Sequence, residues 1–357
     1  MPGFCIGVGM SSSDQARSNR FDTMRLVFAI AVMVAHIFML SDLPGSRPYQ
    51  QMSGIFAELS IRGFFILSGG LVYASWLRSR SVGQYAAKRV RRLYPVYSAI
   101  VIACAIAALI FAPEARADLG AVGKYLLANL VFLNFLHPDL PGVFEGNRFS
   151  EVNGALWTIK IEVMFYIAVP ILVWMMGLFG RFKFALLVLI YIAAEVWRAG
   201  FGHIGAEQNS GLLIQLSRQL PGQMSFFVAG IFMWEFRALM REKWWMFSLA
   251  GLTLTSASFL PYGEPLCAAG WAALIGGIAF SPGPELNAAR FGDFSYGIYS
   301  AHFPIIQLVI ALGLFQVTPF GAAAIAVIAT FIIAVFCWNF VEKPFLARSN
   351  WYRRQSG

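Results

Sequence analysis

The sequence predicts an all-α polytopic membrane protein, a bundle of about ten transmembrane helices with both termini on the cytoplasmic side. Three observations predict it. Of the 357 residues, 58% are hydrophobic and only 13% are charged, whereas a soluble domain is nearer about 25% charged. Apolar runs recur, each long enough to cross about 30 Å of hydrocarbon. The basic residues, finally, concentrate on alternate connections, as the positive-inside rule requires of a multi-pass chain. The formal net charge of +9 therefore reports membrane topology and not a nucleic-acid partner.

The candidate spans, in order, cover residues 22–41, 57–76, 93–112, 156–177, 183–200, 221–237, 244–260, 265–281, 294–315 and 320–341. Residues 1–20 lack an apolar segment separate from the first span, so the first helix reads as retained and not as a cleaved signal. They form a short tail before a membrane domain at 21–345, and 346–357 form a basic tail after it. With both tails inside, the inner segments and helix ends hold Arg17, Arg20, Arg25, Arg78, Arg80, Lys88, Arg89, Arg91, Arg92, Arg181, Lys183, Arg237, Arg241, Lys243, Arg290, Lys343, Arg348, Arg353 and Arg354. The opposite side keeps Arg47, Arg62, Arg116, Lys124, Arg148, Lys160, Arg198 and Arg218. Several spans are rich in glycine and small residues, which suits close packing in lipid. The longest connection, about 113–155, carries a short apolar stretch, Tyr125–Leu136, read as a re-entrant or interfacial helix. His137, Pro138, Asp139 and the polar run Glu145–Asn153 follow it, shaping an outer mouth or a solvated loop. Cys5, Cys104, Cys267 and Cys337 have no paired spacing and read as small apolar side chains, so neither a disulfide nor a metal set is expected. No internal repeat supports a transporter built from duplicated halves.

Chemistry is expected where ionisable groups enter apolar spans, because such groups face a protein interior or a wet path. The first span holds Asp22, Arg25 and His36. Eleven residues separate Arg25 from His36, about three turns and roughly 16 Å, so both lie on nearly one face. Glu162 enters the fourth span at a depth similar to that of His36. Histidine is the usual group for taking a hydroxyl proton near neutral pH, and a carboxylate beside it would orient the ring. Alternatively Glu162 serves an ion pair within the bundle. Lys88, Arg89, Arg91 and Arg92 crowd the inner end of the third span. Anchoring alone would place arginines there, yet such density also suits a polyphosphate, which arginine grips bidentately. Ser68 with Gly69 and Gly70 permits close backbone approach, and His302 lies midway through the ninth span, either lining the cavity or bonding within the bundle.

At these residues the chain resembles the acyltransferase-3 family of integral membrane acyltransferases. The matching pieces are Arg20-Phe-Asp-Thr-Met-Arg25 with His36, Gly63-Phe-Phe-Ile-Leu-Ser68-Gly69, Arg89-Val-Arg-Arg92-Leu-Tyr-Pro95 and Trp157-Thr-Ile-Lys-Ile-Glu162. Gly292-Asp-Phe-Ser-Tyr296-Gly-Ile-Tyr299-Ser-Ala-His302 and Val341-Glu-Lys-Pro344 follow in family order. The resemblance implies a ten-helix core in the bacterial inner membrane, with acyl-CoA, acetyl-CoA by default, as cytoplasmic co-substrate and no metal. It implies transfer to a sugar hydroxyl of a cell-surface or exported glycan. His36 carries over as the essential histidine, Arg25 as its partner arginine, and Arg89 and Arg92 as the arginine pair. Lys88 and Arg91 join them as donor-binding candidates. Asp22, Ser68, Trp157, Tyr296 and His302 are cavity or acceptor candidates. Arg62 and Lys160 depart from the family pattern near the outer mouth and are expected to recognise an anionic acceptor; the glycan acceptor itself is expected to be lipid-linked or anionic. Beyond glycan and membrane lipid no partner is implied, and nucleic acid is excluded. The rival reading is a transporter or flippase for a lipid-linked glycan, with Arg25, His36 and Glu162 lining its path.

Overall fold

The computed structural model describes residues 20–43, 45–284, 286, 288 and 292–346. Both tails, with Cys5, Arg17, Arg348, Arg353 and Arg354, lie outside the described residues, as does Arg290. Among the described residues there is helix and no strand. The longer helices are α1 (Arg20–Ser41), α2 (Arg47–Leu77), α3 (Val82–Phe111), α4 (Leu119–Leu130), α5 (Trp157–Phe179) and α6 (Lys183–Glu207). They continue as α7 (Leu220–Glu235), α8 (Trp244–Ala257), α9 (Cys267–Phe280), α10 (Ser295–Ala311) and α11 (Pro319–Phe336). Each expected span falls on one of these helices, and α4 is additional.

Five helical stretches are long and apolar enough to cross a membrane: Arg20–Ser41, Arg47–Leu77, Val82–Phe111, Gly154–Glu207 and Pro319–Leu346. The fourth is broken at Gly180, whose φ of +50° is left-handed and ends α5 before α6 begins. Starts are capped as the sequence dictates. Ser81 accepts the Gln84 N–H at 3.2 Å ahead of α3, and Asp118 accepts the Ala121 N–H at 2.9 Å ahead of α4. The expected Tyr125–Leu136 helix thus lies nearer the N-terminus than its apolar run suggests. It ends at Leu130, where buried Asn129 donates to the Tyr125 and His137 carbonyls. The following segment to Asn153 is folded onto α10: Gln307 donates to the Phe149 and Glu151 carbonyls, and Asn153 to that of Ser300.

Packing sets which helices can share a site. α1 lies against α2 and α10, α2 runs along α7 and meets α5 and α9, and α10 also packs on α3 and α11. The α2–α7 crossing is a backbone contact. A Cβ on Gly69 would sit 2.1 Å from the Phe227 carbonyl oxygen, and one on Gly230 would sit 2.0 Å from that of Ile66. Only glycine lets these two helices meet, and lipid offers no hydrophobic drive to replace the lost packing. Substituting Gly69→Val or Gly230→Val is expected to abolish monodisperse protein on size exclusion or lower its melting temperature by several degrees. Gly83→Ala, whose Cβ meets nothing within 4 Å, is expected to leave both unchanged.

Candidate active site

A cavity of about 500 Å³ opens at the end of the bundle where the basic residues gather. Phe21, Asp22 and Arg25 of α1, Phe64 and Ser68 of α2, and Thr158, Glu162 and Tyr166 of α5 form part of its wall. Ser295, Tyr296 and Tyr299 of α10 complete the far side, and Trp234 stands near the mouth. Eight cations line it: Arg25, Arg78, Lys88, Arg89, Arg91, Arg92, Arg237 and Arg241. All five residues expected at a donor site are among them, as are Asp22, Ser68 and Tyr296. Trp157, Lys160, Arg62, His36 and His302 lie outside the cavity lining.

The cations divide by partner. Arg92 is clamped by Asp293 and Glu342, carboxylates only 4% and 1% exposed. Gly292, at φ +129° against the Trp338 ring, turns the chain so that Asp293 enters this contact, and a turn of π-helix (Cys337–Glu342) supplies Glu342. Arg25 pairs with Asp22 at 3.5 Å. Four others hold neutral groups: Arg78 donates to the Ala74 carbonyl, Lys88 to Ser79 Oγ, Arg89 to Ser75 Oγ and Arg237 to the Trp234 carbonyl. Among the described residues none of these four meets a carboxylate, so the cavity carries uncompensated positive charge. That charge suits an anion with several acidic oxygens. Arg92, in contrast, is committed to the protein, and its first effect is to join α3 to the start of α10 and to the chain after α11.

Beyond the deep wall of the cavity stands a histidine pair. His36 Nδ1 is 2.9 Å from His302 Nε2, and His302 Nδ1 is 3.0 Å from the Ile298 carbonyl oxygen. A carbonyl oxygen can only accept, so His302 Nδ1 carries a proton. Neutral His302 then offers a lone pair at Nε2, and His36 must donate from Nδ1. His36 Nε2 is left as a lone pair, the form a general base needs. His302 is fully buried, while His36 is half-buried and packs edge-on against Phe303.

Glu162, expected beside His36, meets other groups, while the ring partner of His36 is His302. Glu162 accepts from Tyr166, one turn along α5, and from Ser68 of α2 at 3.5 Å. The reason is packing: α1 lies against α10, which supplies His302, whereas α5 packs on α2 and α3. Arg62, expected at the outer mouth, is held by its neighbours. Glu58, Glu264 and the Cys267 sulfur hold its guanidinium, which also lies 5.2 Å from the Phe226 ring centre. Buried Arg198 shares Glu264 and pairs with Glu195. Two guanidiniums against three carboxylates leave no positive excess there for an anionic acceptor. Lys160 sits over the Phe135 ring at 4.7 Å.

Sequence reasoning treated Arg78, Arg237 and Arg241 as anchoring charges only, and it left Thr158 and Tyr299 unassigned. The first three had a signal in their clustering at inner helix ends. Thr158 and Tyr299 had one in the motifs that contain them, but no charge to draw attention.

These features describe a bundle of apolar helices with a cation-lined cavity and a histidine pair beyond its deep wall. The acyltransferase domain family matches residues 18–339, and the chain belongs to that acyltransferase-3 family. It is 27% identical to an O-acetyl transferase of Shigella phage Sf6 over 94% of this chain and 98% of the relative. It is 26% identical to nodulation protein 10 of Rhizobium leguminosarum bv. viciae, over 91% and 92%. A peptidoglycan O-acetyltransferase of Listeria monocytogenes is 24% identical over 90% of this chain and 55% of its own length. No solved structure matches the chain.

Breaking one partner of a buried ion pair costs about 3–5 kcal/mol. Arg92→Met is therefore expected to lower the melting temperature in detergent markedly, whereas Arg89→Met leaves it within a few degrees. Thermal melts of the two purified variants check this.

Proposed function

We propose that the protein is an O-acyltransferase that moves an acyl group, acetyl first among them, from acyl-CoA to a sugar hydroxyl of a glycan. The observation that carries this reading is the His36–His302 pair, set in its base-competent tautomer beyond the end of a cavity lined by uncompensated cations. In the matching topology, ten spans cross a bacterial inner membrane with both termini inside, and the cavity opens to the cytoplasm. Arg78, Lys88, Arg89, Arg91 and Arg237 hold the phosphates of CoA at the mouth, with Arg25 deeper. The thioester arm lies along Phe64, Ser68 and Tyr296 toward Tyr299. The glycan, lipid-linked or free, approaches from the opposite side.

His36 Nε2 takes the proton of the acceptor hydroxyl as that oxygen attacks the thioester carbonyl. The positive charge that develops on His36 is met by the His302 lone pair, with the Ile298 carbonyl polarising His302 in turn. When the tetrahedral intermediate collapses, the C–S bond breaks. The CoA sulfur leaves with the proton returned by His36. Glu162 keeps Tyr166 and Ser68 in place on the donor side and is a positioning residue. A flippase would need a path past Tyr299 wide enough for a sugar, whereas acyl transfer needs only the two reactants to meet there.

Release of CoA from acetyl-CoA by the purified protein, measured with a panel of glycans in detergent, tests the reading. Acceptor-dependent release is expected in the wild type and absent in His36→Ala. His302→Phe keeps the ring and loses the acceptor nitrogen. It is expected to reduce kcat about 10²-fold or more while donor KM holds. Glycan movement in proteoliposomes without thioester consumption would sink the proposal.

A further inference from the structure

Acyl transfer needs a hydrogen-bond donor for the oxygen of the thioester carbonyl, where negative charge collects in the transition state. The hydroxyls lining the cavity can be sorted by where their protons already go. Tyr166 gives its proton to the Glu162 carboxylate, Tyr296 to the Leu93 carbonyl and Ser295 to the Asp293 carboxylate. Ser68 faces Glu162, and Thr158 donates to the Ala155 carbonyl at 3.2 Å. Ser75 lies at the mouth beside Arg89.

Tyr299 differs from all of these. Its hydroxyl is 2.6 Å from Thr158 Oγ1, a contact that either oxygen can donate; with the Thr158 proton on the Ala155 carbonyl, Tyr299 is the donor. At the deep end its proton alone rests on a neutral hydroxyl instead of a carboxylate or backbone carbonyl. It is the proton most easily redirected to a stronger acceptor. The side chain is also rightly placed. It is 7% exposed and lines the cavity, its ring meets Phe64 on one side, and on the other it meets His302 at 5.8 Å between ring centres. Three residues along α10 separate Tyr299 from His302, so one helix face presents both groups.

We infer that Tyr299 is a catalytic residue whose phenol turns from Thr158 to the thioester carbonyl and stabilises the oxyanion. The inference rests on the acyl-CoA reading above. No proton leaves Tyr299. Its O–H donates to the carbonyl oxygen while the π pair moves onto that oxygen, and it returns to Thr158 once the C–S bond has broken.

Isotope-edited infrared spectroscopy of [1-¹³C]acetyl-CoA bound to the full-length protein in detergent reads this hydrogen bond directly, without an acceptor. The carbonyl band is expected to shift to lower frequency on binding the wild type. It is expected to return toward its solution position in Tyr299→Phe, with CoA affinity within twofold. With a working glycan, the same variant is expected to lose about 10²–10³-fold in kcat and little in donor KM. Thr158→Val removes the resting acceptor and leaves the phenol, so its band is expected at or below the wild-type frequency. This variant also decides the matter if Tyr299→Phe does not fold, because a Thr158→Val band near the solution value overturns the assignment. A carbonyl band indifferent to Tyr299→Phe overturns the role of Tyr299 alone. Absence of any bound acetyl-CoA in the wild type overturns the donor reading and this inference with it.

Discussion

Arg92 between Asp293 and Glu342 is the contact on which the site depends. Isolated, any one of these groups would be expensive inside the bundle, and truncating one partner leaves a buried charge uncompensated. Together they fasten three distant parts of the chain: α3, the entry to α10 and the π-turn after α11. The register of α10 follows from that fastening. Tyr296, Tyr299 and His302 succeed one another along it at spacings of three, and all three address the region between the cavity and His36. The same clamp holds the basic face of α3 toward the cavity. A residue whose composition suggests ligand binding thus acts first by positioning the helices that bind.

The ring of His36 is held by a second imidazole and not by a carboxylate. In water-exposed active sites an aspartate or glutamate commonly holds the histidine ring. Here a second, neutral imidazole does so, and its own tautomer is fixed by the Ile298 carbonyl in the same helix turn. This arrangement avoids placing a second buried charge where nothing compensates it. In the proposed mechanism it also separates two tasks that a triad combines: Glu162, which accepts from Tyr166 and Ser68, serves the donor side, while the histidine pair handles the proton.

Much of this could be read from the residues and some could not. The helical class, the positions of the helices and the importance of α1 follow from apolar run lengths and from ionisable groups eleven residues apart on one face. The basic wall of the cavity was legible in Lys88, Arg89, Arg91 and Arg92 but incomplete. Arg78 and Arg237 obey the positive-inside rule as well as they would a ligand, and one signal hid the other. The partner of His36 was out of reach because 266 residues separate it from His302, and only the α1–α10 packing joins them. Arg62 was only partly legible: Glu58, one turn earlier in α2, could be read as a partner, whereas Glu264 lies on another connection.

The ring of Tyr299 has a consequence for the membrane itself. With Phe64 on one side and His302 on the other, and Phe303 beyond against His36, it ends the cavity in a cluster of rings that meet edge to face. Anything that enters the basic vestibule meets these rings at its deep end. A bundle can then carry a chamber of about 500 Å³ in an energised bilayer and still insulate it, leaving the proton gradient and the ion balance undisturbed. In the proposed reaction only the acyl group changes sides, carried by bond exchange past these rings.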